Sequence, residues 1–143
     1  MNKYLYYLIQ WTWGLPLNII GLFAFLYASI RKRRWYKWRK AICIVSPWNF
    51  GGLNLGMFII HGENNSSTLY HEYGHSIQNM QWGILCPFVI TLVSATRYWC
   101  RRFYNKFIFK RTLKELPEYD SVWFERQATE YGNKAASNAW SWM

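Results

Sequence analysis

Residues 71–75 of the chain read His-Glu-Tyr-Gly-His, and the rest of the sequence is interpreted around this stretch. On an α-helix, residues four positions apart lie one turn above each other on the same face. Three hydroxyl-bearing residues at 66–68 supply possible helix N-caps just before the motif. The pattern therefore predicts a helix on which His71 and His75 can both reach a single metal ion.

The motif has the residue types of a zinc site. Neutral imidazole nitrogen binds zinc well, and a catalytic zinc needs only three protein ligands. Glu72 adjoins the first histidine and can lean toward a zinc-bound water, whose pKa falls to about 7. It could take the proton of that water during attack on a carbonyl. The alternative is a helix whose two histidines are hydrogen-bonded core or surface residues, and the motif alone leaves both interpretations open.

A zinc site of this type needs a third ligand from elsewhere in the chain. The only other histidine, His61, ends an apolar run upstream of the motif, where a lone histidine is more often structural. The chain has only 7 Asp and Glu residues. One later segment holds four of them, Glu118, Asp120, Glu125 and Glu130. That segment is the candidate source of the ligand.

Two stretches of the chain carry a resemblance to a known family. The stretch His-Glu-Tyr-Gly-His-Ser-Ile-Gln at 71–78 and the element Phe-Glu-Arg-Gln-Ala at 124–128 resemble the two site helices of gluzincin-type metallopeptidases. They are also similar to a group of small, uncharacterised bacterial membrane-associated proteins of metallopeptidase type. The resemblance covers residues 50–135, and its specific part is these two helices.

The resemblance implies roles for three residues of the second helix. Glu125 would be the third metal ligand, and Ala128 would be the small residue that lets the two helices approach closely. Thr129 stands where an aspartate often orients a metal-binding histidine, so a hydroxyl hydrogen bond is expected there instead. The metal itself would polarise the substrate carbonyl, and Tyr119 and Tyr131 are candidates to assist at the oxyanion.

The composition indicates a membrane surface. Aromatic residues make up 21% of the 143 residues, charged residues make up 17%, and the formal net charge is +10. Aromatic rings with one wet and one apolar end favour the membrane–water interface. An excess of cations suits an anionic leaflet or nucleic acid. No nucleic-acid motif is visible, so we expect a lipid bilayer as the partner and no nucleic acid.

The first 30 residues are predicted to be a membrane anchor. Residues 4–30 contain no charged side chain, and about 20 residues suffice to span a bilayer. The basic run Arg-Lys-Arg-Arg at 31–34 follows at once and acts as a stop-transfer signal. We therefore expect a transmembrane helix in 1–30 and a metallopeptidase domain in 31–143, at the cell membrane with its catalytic site on the cytoplasmic face. A signal peptide and a buried helix of a soluble core are the alternatives.

Two apolar runs rich in β-branched residues precede the motif. Residues 41–45 and 53–60 flank a stretch of turn composition, so they are predicted to pair as a β-hairpin. In zincin folds an edge strand before the motif helix commonly presents its backbone to an extended peptide. By resemblance, the substrate-binding residues here would be Leu53, Asn54, Leu55 and Gly56. A purely structural hairpin is the alternative.

An apolar stretch also follows the motif. Residues 82–93 are apolar except for Thr91, and the stretch continues less purely to Cys100. A complete membrane crossing here would put Glu125 on the side opposite the histidines. We therefore expect a buried, interfacial or re-entrant helix. Residues 101–114 alternate basic and aromatic side chains and are predicted to lie on a membrane surface or to form a solvated helix.

The sequence thus predicts an α+β, membrane-anchored, zincin-like minimal domain. Its elements in order are an N-terminal transmembrane helix, a short β-hairpin, the motif helix, an apolar buried or re-entrant helix and a C-terminal ligand helix. The expected function is hydrolysis of peptide bonds in peptides or membrane proteins, with Glu72 as general base. The expected cofactor is Zn²⁺, held by His71, His75 and Glu125.

Two other functions fit the same residues. The first is a non-catalytic membrane protein in which a metal staples a core too small to hold itself. The second is a membrane-interaction module whose histidines are fortuitous, which predicts no stoichiometric zinc. The catalytic interpretation requires Glu72 to act on water, whereas neither alternative gives that carboxylate a chemical role.

Overall fold

The computed structural model describes residues 2–47, 51–62, 66–104 and 122–137. The prediction of an α+β fold is confirmed. The elements in these ranges are α1 (Lys3–Trp11), α2 (Leu15–Ile30), β1 (Trp35–Trp38), β2 (Ala41–Val45), β3 (Gly52–Leu55), β4 (Phe58–His61), α3 (Ser66–Trp82), α4 (Leu92–Tyr104) and α5 (Trp123–Ala136). A 3₁₀ turn (Gly83–Leu85) and a π-helical turn (Pro87–Thr91) connect α3 to α4.

The strands form one mixed sheet in the order β1-β2-β4-β3. The predicted hairpin between residues 41–45 and 53–60 is wrong, because β2 pairs with β4 in parallel. The hairpin instead lies within the second run, where β3 and β4 are antiparallel. Gly56 makes the turn at φ +72°, and the Asn54 side chain bonds both its amide and its carbonyl. The sequence did not predict this turn, because residues 53–60 are mostly apolar on both sides of Gly56 and were interpreted as one strand.

The sheet lies between two layers of helix. Successive side chains of a strand point to opposite faces. Phe58 therefore packs in one apolar cluster with Leu17 of α2, whereas its neighbour Ile59 packs in the other with Leu69 and Ile77 of α3. The motif helix thus has its apolar side fixed on the sheet.

The prediction of one transmembrane helix in residues 1–30 is wrong. Two helices, α1 and α2, meet there at 95°. The chain breaks at Gly14, where a Cβ would lie 2.5 Å from Asn79 Nδ2, and Pro16 opens α2 in its first turn. In the described ranges no helix by itself has the length and apolarity to cross a bilayer. Two bent pairs of helices reach that length and apolarity only when taken together, α1 with α2 and 68–85 with 87–103.

Buried polar side chains tie the first two helices to the motif helix. The hydroxyls of Tyr6 and Ser76 lie 2.6 Å apart, and Gln10 Nε2 donates to the Ser76 carbonyl at 2.9 Å. Asn79 Nδ2 donates to Gln10 Oε1 at 2.6 Å, and Asn18 Nδ2 donates to the same oxygen at 2.8 Å. Burying polar groups costs free energy unless they are hydrogen-bonded. The network therefore explains why polar residues interrupt the apolar N-terminal sequence.

The chain turns sharply after the motif helix, and 68–85 and 87–103 are bent by 115°. Gly83 has φ +51°, and a Cβ there would overlap the indole ring of Trp13. Of the predicted alternatives, a buried helix does not fit, because Phe88 is 65% exposed and Leu92 is 59% exposed. The stretch instead exposes apolar side chains along a bent course, and the interfacial and re-entrant alternatives stay predictions. Most of the predicted basic segment, from residue 105 onward, lies outside the described residues.

Candidate metal centre

The motif helix presents both histidines to one point. His71 and His75 lie one turn apart on α3, and their Nε2 atoms are 3.2 Å apart. The two rings meet edge to face, with centroids 4.8 Å apart and an interplanar angle of 88°. This is the arrangement that the four-residue spacing predicts.

The second site helix, α5, crosses α3 at very short range. A Cβ at Gly74 would overlap the backbone carbonyl of Ala128, and a Cβ at Gly132 would overlap the carbonyl of Tyr70. Ala128 itself is fully buried. Small residues on both helices therefore allow the backbones to touch, which lets a short carboxylate on α5 reach the histidines on α3.

Glu125 lies in the first turn of α5 and is fully buried. Its Oε2 lies 3.0 Å from His71 Nε2 and 3.3 Å from His75 Nε2. Its Oε1 has no hydrogen-bond partner among the described residues. One oxygen and two nitrogens thus form a triangle of donor atoms that can hold a metal ion.

Hydrogen bonds orient both imidazole rings. Thr129 Oγ1 lies 2.9 Å from His71 Nδ1, so the hydroxyl contact expected at this position is present. Gln78 Oε1 lies 2.7 Å from His75 Nδ1. The sequence interpretation missed Gln78, although it follows His75 by three positions and so lies on the same face of the helix.

The two acidic groups near this point have opposite pKa shifts. Burial alone would raise the pKa of Glu125, but the His71 and His75 imidazoles beside its carboxylate hold the pKa well below its ordinary value. Burial raises the pKa of Glu72, and the nearby histidines only partly offset this effect. Glu125 is therefore held as an anion suited to a cation, whereas Glu72 has a higher proton affinity than an ordinary glutamate.

A cavity of about 760 Å³ opens beside the triangle. The two histidines, Glu72 and Thr129 of α5 line it. The turn before α4 and α4 itself also contribute to the lining, including Ile90, Ser94 and Tyr98. A molecule in this cavity would touch the histidines, the carboxylate of Glu72 and an apolar wall at once.

The edge strand β3 forms another side of the cavity. Gly52, Leu53 and Asn54 line it. A Cβ added at Gly52 would lie 2.5 Å from Glu72 Cγ and Oε1. Asn54 Nδ2 also donates to the Glu72 carbonyl at 3.0 Å, which links the strand to the motif helix. Of the four predicted substrate-binding residues, Leu55 is buried in the core and Gly56 packs on the Asn18 side chain instead.

Two further candidates, Tyr131 and His61, do not line the cavity. Tyr131 hydroxyl accepts a hydrogen bond from Gln81 at 2.9 Å, and Tyr119 lies outside the described residues. His61 is a buried structural residue, with Nε2 2.8 Å from the Tyr36 hydroxyl and Nδ1 2.6 Å from the Gly62 carbonyl. The candidate site thus consists of the histidine pair, Glu125, Glu72 and β3. No family model, no curated protein and no solved structure matches the chain.

Proposed function

We propose that this protein is a zinc-dependent peptidase that works at a membrane surface. The observation that carries the proposal is the triangle of His71 Nε2, His75 Nε2 and Glu125 Oε2, with sides of 3.0–3.3 Å, beside Glu72 in one cavity. The triangle supports a metal ion, and the cavity supports access of a substrate to it. Glu72 supplies a second carboxylate, which is not one of the three metal-binding groups.

The donor set favours zinc among the common metals. Ligands at about 2.0–2.1 Å around a tetrahedral zinc ion lie about 3.3 Å from each other, close to the sides of the triangle. Two imidazoles and one carboxylate also match the ligands of catalytic zinc, which keeps its fourth position open. Calcium and magnesium prefer sites built from oxygen ligands.

The chain's own residues have separate tasks in hydrolysis. Zinc, when bound, supplies a Lewis acid that polarises a carbonyl and lowers the pKa of water. Glu72 accepts the proton of the attacking water and returns it to the leaving amine. Strand β3 is the last strand of the described sheet, so its outer backbone groups can bind an extended peptide by strand addition. Because Gly52 has no side chain, the side chain of Glu72 can lie against this strand.

An exposed apolar stripe on α2 supports a membrane partner. Ile20, Phe23, Tyr27 and Ile30 follow each other at helical spacing, and Phe23 and Ile30 are 67% and 78% exposed. The exposed basic run at 31–34 comes directly after the stripe. Apolar side chains beside cations suit a bilayer with anionic lipids, and the positive-inside tendency favours the cytoplasmic leaflet.

A second function fits the same donor atoms. A metal held between α3 and α5 would join two helices and stabilise a small core without any catalysis. The complete burial of Glu125 favours this candidate, because a buried carboxylate beside two imidazoles is well placed to bridge the helices. The two functions differ in what they require of Glu72.

Zinc-loaded protein mixed with phosphatidylserine vesicles tests the proposal. We expect the protein to float with these vesicles and to hydrolyse members of a mixed peptide library, as followed by mass spectrometry. Removal of zinc with a chelator should abolish the cleavage, and added zinc should restore it. Vesicles of phosphatidylcholine alone are the matched control and should retain less protein. Cleavage that survives zinc removal, or no cleavage by vesicle-bound zinc protein, would contradict the proposal.

A further inference from the structure

Gln78 makes three hydrogen bonds beside the candidate metal centre, two of them buried. Its side chain is fully buried, one turn beyond the motif on α3. Its Oε1 lies 2.7 Å from His75 Nδ1, and its Nε2 donates to the Phe124 carbonyl at 2.7 Å and to Gln127 Oε1 at 3.0 Å. A buried amide with this many bonds has one defined orientation.

The Phe124 carbonyl decides which way the amide faces. A backbone carbonyl oxygen only accepts hydrogen bonds, so the amide nitrogen of Gln78 must face it. The amide oxygen is then turned toward His75 Nδ1, which must carry a proton to donate to it. In the neutral ring the proton on Nδ1 leaves the lone pair on Nε2, and that atom is the one facing His71 and Glu125.

The same amide also holds the second helix. Phe124 directly precedes Glu125, so the bond from Gln78 to the Phe124 carbonyl fixes the backbone beside the carboxylate ligand. One side chain therefore connects the ring of His75 on α3 to the start of α5. A change at Gln78 would disturb two of the three donor atoms together.

We propose that Gln78 is the positioning residue of the metal centre: it selects the Nδ1–H form of His75 and sets Glu125 at the distance that a metal ion requires. The inference rests on the metal site of the proposed function. It adds a requirement that the motif does not contain, namely an acceptor three residues after the second histidine. Partners of metal-binding histidines typically contribute a factor of about 10–100 to metal affinity.

The matched pair of variants is Gln78→Leu and Gln81→Leu. Gln81 lies on the same helix and also bonds α5, through the Tyr131 hydroxyl, but it is exposed and touches neither histidine in the described contacts. Zinc dissociation constants are measured by competition with a chromogenic chelator, and cobalt-loaded protein is measured by visible absorption. We expect Gln78→Leu to bind zinc about 10–100-fold more weakly and to change the cobalt spectrum. Gln81→Leu should match the wild type in both measurements.

The variant Gln78→Glu removes only the donor side of the amide. It keeps an acceptor toward His75 Nδ1, but its carboxylate cannot donate to the Phe124 carbonyl, so it should also bind zinc more weakly than the wild type. Gln78→Met replaces the leucine variant if circular dichroism shows that the latter does not fold. A folded variant without the amide that keeps wild-type zinc affinity and cobalt spectrum would overturn the inference. Wild-type protein that binds no zinc would instead overturn the proposed function, and peptide cleavage is not needed for either result.

Discussion

Replacement of Glu72 by glutamine is expected to reduce peptide hydrolysis by about 10²–10⁴-fold, the range that general acid–base catalysis contributes. Glutamine has nearly the same shape, so it keeps the contact with Gly52. Its amide cannot accept the proton of water. Because Glu72 is not one of the three converging donor atoms, the variant should keep the zinc content and the thermal midpoint of the wild type.

The control for this change is Glu130→Gln on α5. Glu130 is exposed and does not line the cavity, so its loss should leave the rate unchanged. Initial rates on the best library peptide, zinc per chain and circular dichroism are measured for both variants. A Glu72→Gln protein that retains zinc and hydrolyses at the wild-type rate would remove Glu72 as the base. If neither Glu72→Gln nor Glu130→Gln cleaves any peptide, a structural metal that joins α3 and α5 without catalysis is favoured.

Replacement of Gly74 by alanine is expected to separate the two site helices. The added Cβ would overlap the Ala128 carbonyl, which belongs to a helix backbone and cannot rotate away. Overpacking of this type typically costs about 1–3 kcal/mol, and the backbone position makes the upper end of that range the expected cost. A shift of α5 also moves Glu125 away from the histidines, so zinc affinity should fall together with stability.

Gly51→Ala is the matched control, because no atom of the described residues lies within 4 Å of a Cβ at that position. Urea midpoints and zinc dissociation constants are compared for the two variants. The control should stay within about 0.5 kcal/mol of the wild type, as surface substitutions usually do. A Gly74→Ala protein that is as stable as the control and binds zinc equally well would show that the helices do not need this close contact.

The parts of the site that depend on local periodicity were predictable from the sequence. The spacing of His71 and His75 fixes their common face once the segment is a helix, and the structure has that helix at Ser66–Trp82. Glu125 came from a resemblance between short stretches, and the structure brings its carboxyl to the two imidazoles. A carboxylate in the first turn of α5 has few positions open to it when small residues let this helix lie so close to α3.

The parts that depend on distant contacts were not predictable. Residues 4–30 were interpreted as one apolar helix. The side chains of Gln10 and Asn18 bond each other, and they also bond residues of α3 and of the β3–β4 turn. These bonds hold the chain in its bend at Gly14. The partner of Gln78 is a backbone carbonyl on α5. Neither contact leaves a periodic signal, because each joins residues that are far apart in the sequence.

The most direct test of the account is the zinc content of purified wild-type protein beside Glu125→Ala and Glu130→Ala, measured by plasma mass spectrometry after dialysis. Both glutamates lie on α5, but only Glu125 is buried against the histidines. We expect one zinc ion per chain in the wild type and in Glu130→Ala, and almost none in folded Glu125→Ala. Equal zinc in all three proteins, or none in the wild type, would contradict it.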